Sequence, residues 1–396
     1  MPTLVETSAF AAGHARPPLE PLQRLLSFEH LSKTIRFILS AKREAAQRAE
    51  ATTEGRWQGW RRFIIDRIVG ETPEIRSLYL RPEDRKPLCQ PRAGQFVTAR
   101  VQGNDGTCVT RCWSLSAYSQ PAEEYRLTVR RQSGAGSSWA HEASVGSAVE
   151  LRAPAGEFVL DMGSFRPIVL IAAGIGITPL LAMLQAHLSR GEKAAPVHLI
   201  YGARTPAHAA FRKDLEILAA RHGHLHVHYV YSNSEAAGRP AGRITPDLVR
   251  TLLSDLHIIF GGHRIALPWY ENDTYICGPG DFCVTLKEGL TALGANPDHM
   301  FYELFSVTPR TATEIDWAEV HFRRSGVSCI WHAAEDLTLL EIAERVGIAV
   351  GNDCRAGACL TCKTAVLEGS VTTDLGDGSA LLCIGKPRSA RVSLDC

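Results

Sequence analysis

From Trp57 onward, short runs alternate apolar and polar residues with turn formers between them. "RRFIIDRIV", "IRSLYLRP", "GQFVTARVQ", "RCWSLSAY", "YRLTVRRQ" and "SAVELRAP" follow one another at ten- to twenty-residue intervals up to about Leu160. A period of two in many short runs predicts an antiparallel β-barrel. Between 165 and 300 the texture changes. The strand-like stretches "PIVLIAAG", "APVHLIYGA", "LHVHYVYS" and "DTYICG" have helical patterns such as "AFRKDLEILAARH" and "TPDLVRTLLSDL" between them. That alternation predicts βαβ units and a parallel sheet. After a connector near 305–316, a hairpin ("AEVHFRRSG", "VSCIWH") and the helix "LTLLEIAERVGI" predict a third, small α+β unit.

The expected organisation is an N-terminal helical extension over 1–55, a barrel over 56–162, an α/β domain over 163–304, a linker over 305–316 and a last domain over 317–396. In the extension, Leu31, Ile35, Phe37, Ile38 and Leu39 precede an Ala/Arg/Glu-rich stretch, the pattern of one amphipathic basic helix. Such a helix docks on the body, frays, or meets a membrane surface or partner. The apolar stretch from Pro167 to Leu184 is broken by Gly174, Gly176 and the Thr178–Pro179 pair, so it reads as strand, turn and helix start and not as a membrane span. The first residues lack the basic and apolar regions of a signal peptide. A net charge of +1 removes any bulk electrostatic case for nucleic acid. The 11 cysteines, an odd number, are expected to be reduced thiols in a cytoplasmic protein.

Three of those cysteines fall in "CRAGACLTC". Cys354, Cys359 and Cys362, with Cys383 in "LLCIGKP", form a C-x4-C-x2-C…C set. Four thiolates at that spacing suit two irons with bridging sulfides, and small residues such as Gly357 let backbone amides point at sulfur. A structural zinc site, which favours two close C-x2-C pairs, and unligated thiols are the rival readings. With its flanking elements, 317–396 resembles a plant-type [2Fe-2S] ferredoxin domain of β-grasp fold. The Cys362–Cys383 gap is shorter than such domains typically show, which implies a trimmed loop. Cys396, at the last position, is a poor substitute ligand.

In the barrel, "RCWS" (Arg111, Cys112, Trp113, Ser114) lies between "GQFV" before it and "GAGSSWAH" and "PAGEFVL" after it. This order resembles the flavin domain of the ferredoxin–NADP reductase superfamily, with its R-x-Y-S motif. The reductase portion of flavohaemoglobins, which share the "WQGWRRF" opening, is the nearest likeness. The resemblance implies FAD in preference to FMN. It gives Arg111 a flavin phosphate, where a rigid guanidinium fork suits the oxygens. Trp113, in place of the usual Tyr, would pack on the flavin, and Ser114 would hydrogen-bond near its reactive nitrogen. Gly136, Ser137 and Ser138 would offer backbone amides to phosphate at a helix start.

"AAGIGITP" follows an apolar strand and opens a helix. Gly174 and Gly176 allow a sharp turn and close approach to a pyrophosphate, Thr178 can cap and Pro179 suits the first turn, although a plain strand–helix turn explains the same letters. With "YICGPGDF" the likeness to the same superfamily places Cys277 beside a nicotinamide, with Gly278 and Pro279 shaping the crevice. In "FYELF" the likeness gives Glu303 and Phe305 the residues that close over the flavin, with Phe301 where a His is common; an aromatic-rich linker is the alternative. Ser114, Cys277 and Glu303 are thus the implied catalytic set. Either NADH or NADPH is possible, and Arg204, with Arg212 and Lys213 and no early acid, leans toward tolerating NADPH. His222, His224, His226 and His228 alternate along one strand, as a solvated edge or as a metal strip. Residues 257–270 look like an insertion of no assigned role.

This domain order is that of oxygenase reductases with a C-terminal ferredoxin domain. It implies an NAD(P)H-dependent reductase that passes electrons through FAD to the cluster and on to a separate acceptor protein, an oxygenase component. A redox-sensing module and a stand-alone NAD(P)H oxidase are the alternatives.

Overall fold

The computed structural model describes residues 55–102, 108–191, 194–233, 242–260, 262–305, 313–352, 357 and 360–396. The helix expected in the N-terminal extension lies outside them, as do Cys354 and Cys359.

Six strands build the first unit: β1 (Arg61–Thr72), β2 (Ile75–Pro82), β3 (Phe96–Gln102), β4 (Cys108–Ser114), β5 (Tyr125–Arg130) and β6 (Ala148–Leu151). They pair antiparallel in the order β4-β3-β6-β1-β2-β5, and a bridge between Leu115 and Leu127 joins the two edges. The sheet is therefore closed, as the alternation predicts. Its inner positions are Phe63, Ile65, Leu78, Leu80, Val97 and Leu127, all fully buried. Burial of each such side chain stabilises by roughly 1.5–3 kcal/mol. Trp57 packs against Phe63 and Tyr125 at the barrel's end, its indole N–H donating to Leu151 O at 3.1 Å. One helix, α1 (Ala135–Glu142), covers the barrel between β5 and β6.

The second unit is a parallel sheet of β7 (Ile168–Ala173), β8 (Val197–Ala203), β9 (Leu225–Tyr231), β12 (Asp273–Gly278) and β13 (Met300–Leu304), ordered β13-β12-β7-β8-β9. Helices α2 (Ile177–Leu188) and α3 (Arg212–Arg221) pack on one face, and α4 (Pro246–Leu252) and α5 (Gly280–Ala292) on the other. Cover on both faces is why β7 is a continuous apolar run and not an alternating one. The strand order turns back between β7 and β12, and a crevice opens at the carboxyl ends of strands at such a switch point. The stretch marked as an insertion forms a separate hairpin, β10 (His257–Phe260) with β11 (His263–Ala266).

The third unit is a mixed sheet of β14 (Trp317–Phe322), β15 (Val327–His332), β16 (Lys363–Glu368), β17 (Ser379–Leu381) and β18 (Arg391–Leu394), ordered β15-β14-β18-β16-β17. Only β14 and β18 run parallel. Helix α6 (Leu339–Arg345) opens with a full capping box between Thr338 and Glu341 and packs over Trp331, Phe322 and Leu381. No helix among the described residues is long and apolar enough to cross a membrane.

Candidate functional site

A cleft of about 610 Å³ lies where the barrel meets the switch point of the parallel sheet. One wall is β4, which supplies Arg111, Cys112, Trp113 and Ser114. The opposite wall is the carboxyl ends of β7 and β12, with Gly174, Thr178, Gly278 and Pro279, and Phe305 joins them.

The start of α1 faces the same cleft. Gly136 is there because of Arg111: a Cβ at 136 would sit 2.6 Å from Arg111 Cγ. The amides of residues 135–137 lack partners within the helix, as at any helix start. Ser138 differs from the expectation, since its N–H already donates to Gly134 O at 3.0 Å and closes the first turn. Ser137 is fixed by its hydroxyl, which donates to Arg130 O at 3.1 Å and accepts from Gln132 N at 2.8 Å.

Ser114 and Glu303, 189 positions apart, meet below the cleft. The Ser114 hydroxyl donates to Glu303 Oε2 at 3.4 Å, and both residues are buried. Burial pushes the Glu303 carboxyl up to about 8, only partly opposed by the Ser114 hydrogen bond. Cys277 does not line the cleft: it is fully buried in the sheet, and burial, then Glu303 and Cys283, hold its thiol well above the usual range. Phe301 stacks on Tyr275 at 5.0 Å and is half exposed.

On the nicotinamide side, Gly174–Gly176 form a 3-10 turn that leads straight into α2. Thr178 is not the cap. It lies inside the first turn, and its hydroxyl donates back to Ile175 O at 3.0 Å; Gly176 is the N-cap, with no side-chain bond. Pro179 sits in the first turn as expected. Arg204, just past β8, pairs at 3.5 Å with Glu74 of the barrel, which also takes Arg130 at 3.2 Å. Arg243, His208 and Ser232 line this end of the cleft too. Sequence reading missed Arg243, because an arginine in the Pro/Gly-rich "GRPAGRIT" has no periodicity to place it.

The histidine run lies on or beside β9, the edge strand of the parallel sheet, and is half-buried there because part of it packs on β8. His226 and His228 of β9 stack on His198 of β8 with ring centroids 4.6 and 5.4 Å away, and His198 Nδ1 lies 3.2 Å from His228 Nε2. No group of three metal-binding side chains is placed to hold an ion among the described residues. Burial lowers His198 to about 3 and also depresses His226 and His228, with neighbouring imidazoles adding to the effect and Asp255 opposing it at His198 and His226. The folded state therefore binds fewer protons than the unfolded chain, whose imidazoles titrate near 6.5. Stability present above that pH is expected to fall as the solution is acidified toward the folded-state values. His198→Gln should flatten this fall in a urea-midpoint series from pH 7 to pH 5, and an unchanged slope would show that the cluster does not contribute.

In the third unit, Cys362 and Cys383 are both buried, and Leu382 N donates to Cys362 O at 3.4 Å. The Gly357 amide, in a loop that turns at φ +72°, donates to Cys383 Sγ at 3.2 Å. An N–H aimed at sulfur favours a thiolate, which is the donor an iron–sulfur cluster needs. Cys396 instead ends the β-sheet, its carbonyl taking the amides of Arg324 and Ser325. Cys362, Cys383 and the Gly357 amide fit a [2Fe-2S] cluster.

Known proteins agree. Residues 170–287 match the oxidoreductase NAD-binding domain family, and 322–388 match the 2Fe-2S iron-sulfur cluster binding domain family. A flavohemoprotein of Pseudomonas putida is 36% identical over 281 residues, covering 70% of this chain and 66% of that protein. One from Pseudomonas aeruginosa is 35% identical over 273 residues, or 68% of this chain and 64% of that protein. The chain thus spans less than two thirds of the length of these curated relatives. Among solved structures, phthalate dioxygenase reductase is described as a modular structure for electron transfer from pyridine nucleotides to [2Fe-2S]. It superposes with a TM-score of 0.59 at 26% identity, over 85% of this chain and 98% of that one. The flavohem-like FAD/NAD binding domain of nitric oxide dioxygenase from Vibrio cholerae gives 0.54 at 27% identity, over 62% of this chain and 98% of that one. The chain is thus a ferredoxin-reductase-like oxidoreductase in architecture, an antiparallel barrel followed by an NAD-binding parallel-sheet domain and a C-terminal 2Fe-2S iron-sulfur cluster binding domain.

Proposed function

We propose that the protein passes electrons from NAD(P)H, through FAD seated in the cleft, to a [2Fe-2S] cluster on Cys354, Cys359, Cys362 and Cys383, and then to a separate acceptor protein, an oxygenase component. The domains would run 56–162, 163–304 and 317–396, as the sequence suggests. One observation carries the reading: a single cleft is lined at once by the strand bearing Arg111–Ser114 and by the carboxyl ends of β7 and β12. Two redox groups must be brought face to face for hydride to pass, and this cleft is where the two binding walls meet. When bound, the flavin turns a two-electron donor into a one-electron source, and the cluster takes those electrons singly.

The chain's own residues do the rest. Arg111 supplies a charged fork for phosphate, and Gly136 leaves room for it. Trp113 gives an aromatic face in the cleft wall. Burial of Glu303 raises its carboxyl and so favours the protonated form, and the Ser114 hydroxyl links that carboxyl to the cleft. Arg204 and Arg243 place positive charge at the far end, where a 2′-phosphate would be read.

Purified protein should carry one FAD, two irons and two acid-labile sulfides per chain. Zinc without labile sulfide would overturn the cluster assignment. Arg111→Ala should weaken flavin retention about tenfold or more, the loss of a charge-assisted hydrogen bond. Unchanged flavin occupancy after dialysis would remove Arg111 from the site.

A further inference from the structure

Trp113 and Trp139 form a stacked pair of which only one member reaches the cleft. We propose that Trp139 is a positioning residue that sets the orientation of Trp113 against the flavin, so that the two indoles act as a unit. The inference rests on the flavin reading above.

In β4, Arg111 and Trp113 are two residues apart and so lie on one face of the strand. That face meets α1. Gly136 lies beneath Arg111, and the Trp139 ring stacks on Trp113 with centroids 6.3 Å apart and planes 17° from parallel. Gly136 and Trp139 are three residues apart, neighbours on one helix face. The strand's two-residue step and the helix's three-residue step therefore match, and one contact fixes the phosphate-side arginine while the other fixes the ring. Trp113 lines the cleft and Trp139 does not. Both pack on the barrel core, with Ala140 behind them fully buried.

The platform is rigid. Ser137 ties the start of α1 to Arg130 and Gln132. His141 Nε2 lies 3.1 Å from Val129 O, and Arg76 donates to His141 O at 2.5 Å and to Ala143 O at 2.6 Å. A helix fixed at both ends holds Trp139 in one place, as a site's supporting residues must. The need for such support follows from the substitution itself. An indole is larger and less symmetric than the phenol usual at this position, so turning about its side-chain bonds presents different edges to the cleft. Trp139 stacks on that indole from outside the cleft lining and so restricts its turning.

A double-mutant cycle on the full chain tests this, with Trp139→Leu, Trp113→Tyr and both. The readouts are the dissociation constant of FAD, the emission of bound flavin and the flavin midpoint potential. Trp139→Leu is expected to weaken FAD binding about two- to tenfold, the range for an aromatic pair. It should also alter emission and potential, because both depend on how closely and in what orientation the neighbouring indole lies against the flavin. In the Trp113→Tyr background the same change should have no further effect, and Trp139→Phe should restore most of the wild-type values. Equal effects of Trp139→Leu in both backgrounds, or a lowered Tm with all three flavin readouts unchanged, would overturn the proposal. If Arg111→Ala weakens FAD binding while Trp139→Leu leaves the dissociation constant, emission and potential all unchanged, this inference alone fails. If purified protein binds no flavin at all, the underlying reading fails with it.

Discussion

Gly176→Ala is expected to abolish NAD(P)H-dependent reduction of any acceptor and to lower the thermal stability of the nicotinamide-binding unit. A Cβ at this position would lie 2.1 Å from Cys277 O, 2.5 Å from its carbonyl carbon and 2.8 Å from Gly278 N. All three are backbone atoms of the strand end, so no side chain can swing aside. The helix start must move away from β12, which pulls apart the two segments that make one wall of the cleft. Overpacking a core costs about 1–3 kcal/mol where side chains can adjust, and a backbone clash exceeds that. The reason is steric alone, since Gly176 has φ −59° and ψ −8°, open to any residue. Gly174 is the contrast. It has φ +56° and nothing within 4 Å of a built Cβ, so Gly174→Ala meets only the modest cost of a left-handed backbone, roughly 1–2 kcal/mol. Differential scanning calorimetry with an NAD(P)H–ferricyanide assay, run with each nucleotide, checks both variants. Near-normal activity and Tm in Gly176→Ala would mean that the turn does not approach β12 as described.

The sequence showed most of the architecture because the elements differ in period. Alternation in β1–β6, the continuous apolar run of β7 and the helix after β15 each have one physical interpretation. The glycines of "AAGIGITP" were also legible as a tight turn, but their separate reasons were not. One serves conformation and the other a contact 101 positions away, with Cys277. The Thr178 expectation failed for a related reason: a 3-10 turn before α2 shifts the helix start forward, and the hydroxyl falls inside the first turn. Ser138 was placed one residue too far into its helix for its amide to be free. The histidine run had a readable alternation, but its partner His198 is on another strand, and only the register of β8 on β9 brings them together. The Ser114–Glu303 pair joins the first strand motif to the last strand of the parallel sheet, and no local pattern reports such a meeting.

Cys383→Ser should separate the two ends of the electron path. The Gly357 amide donates to Cys383 Sγ at 3.2 Å, which fits a thiolate held for metal and tuned by a backbone hydrogen bond. A serine oxygen is a harder donor on a shorter bond, and it replaces one of the four thiolates a [2Fe-2S] centre requires. Removing only a supporting partner of a metal ligand costs about 10–100-fold, so loss of the ligand itself should cost more. The expected variant is yellow, with flavin retained and iron and labile sulfide lost. Its NAD(P)H–ferricyanide activity should survive, because ferricyanide can draw electrons before the cluster. Cytochrome c reduction should collapse by at least the hundredfold upper end of that range. Cys396→Ser is the control, since Cys396 is held at the sheet end by Arg324 and Ser325 and should leave both activities intact. Were Cys396→Ser to strip the iron while Cys383→Ser kept it, the fourth ligand would be the chain's last residue. Were both activities to survive in iron-free Cys383→Ser, electrons would leave directly from the cleft, and the third unit would not be the outlet.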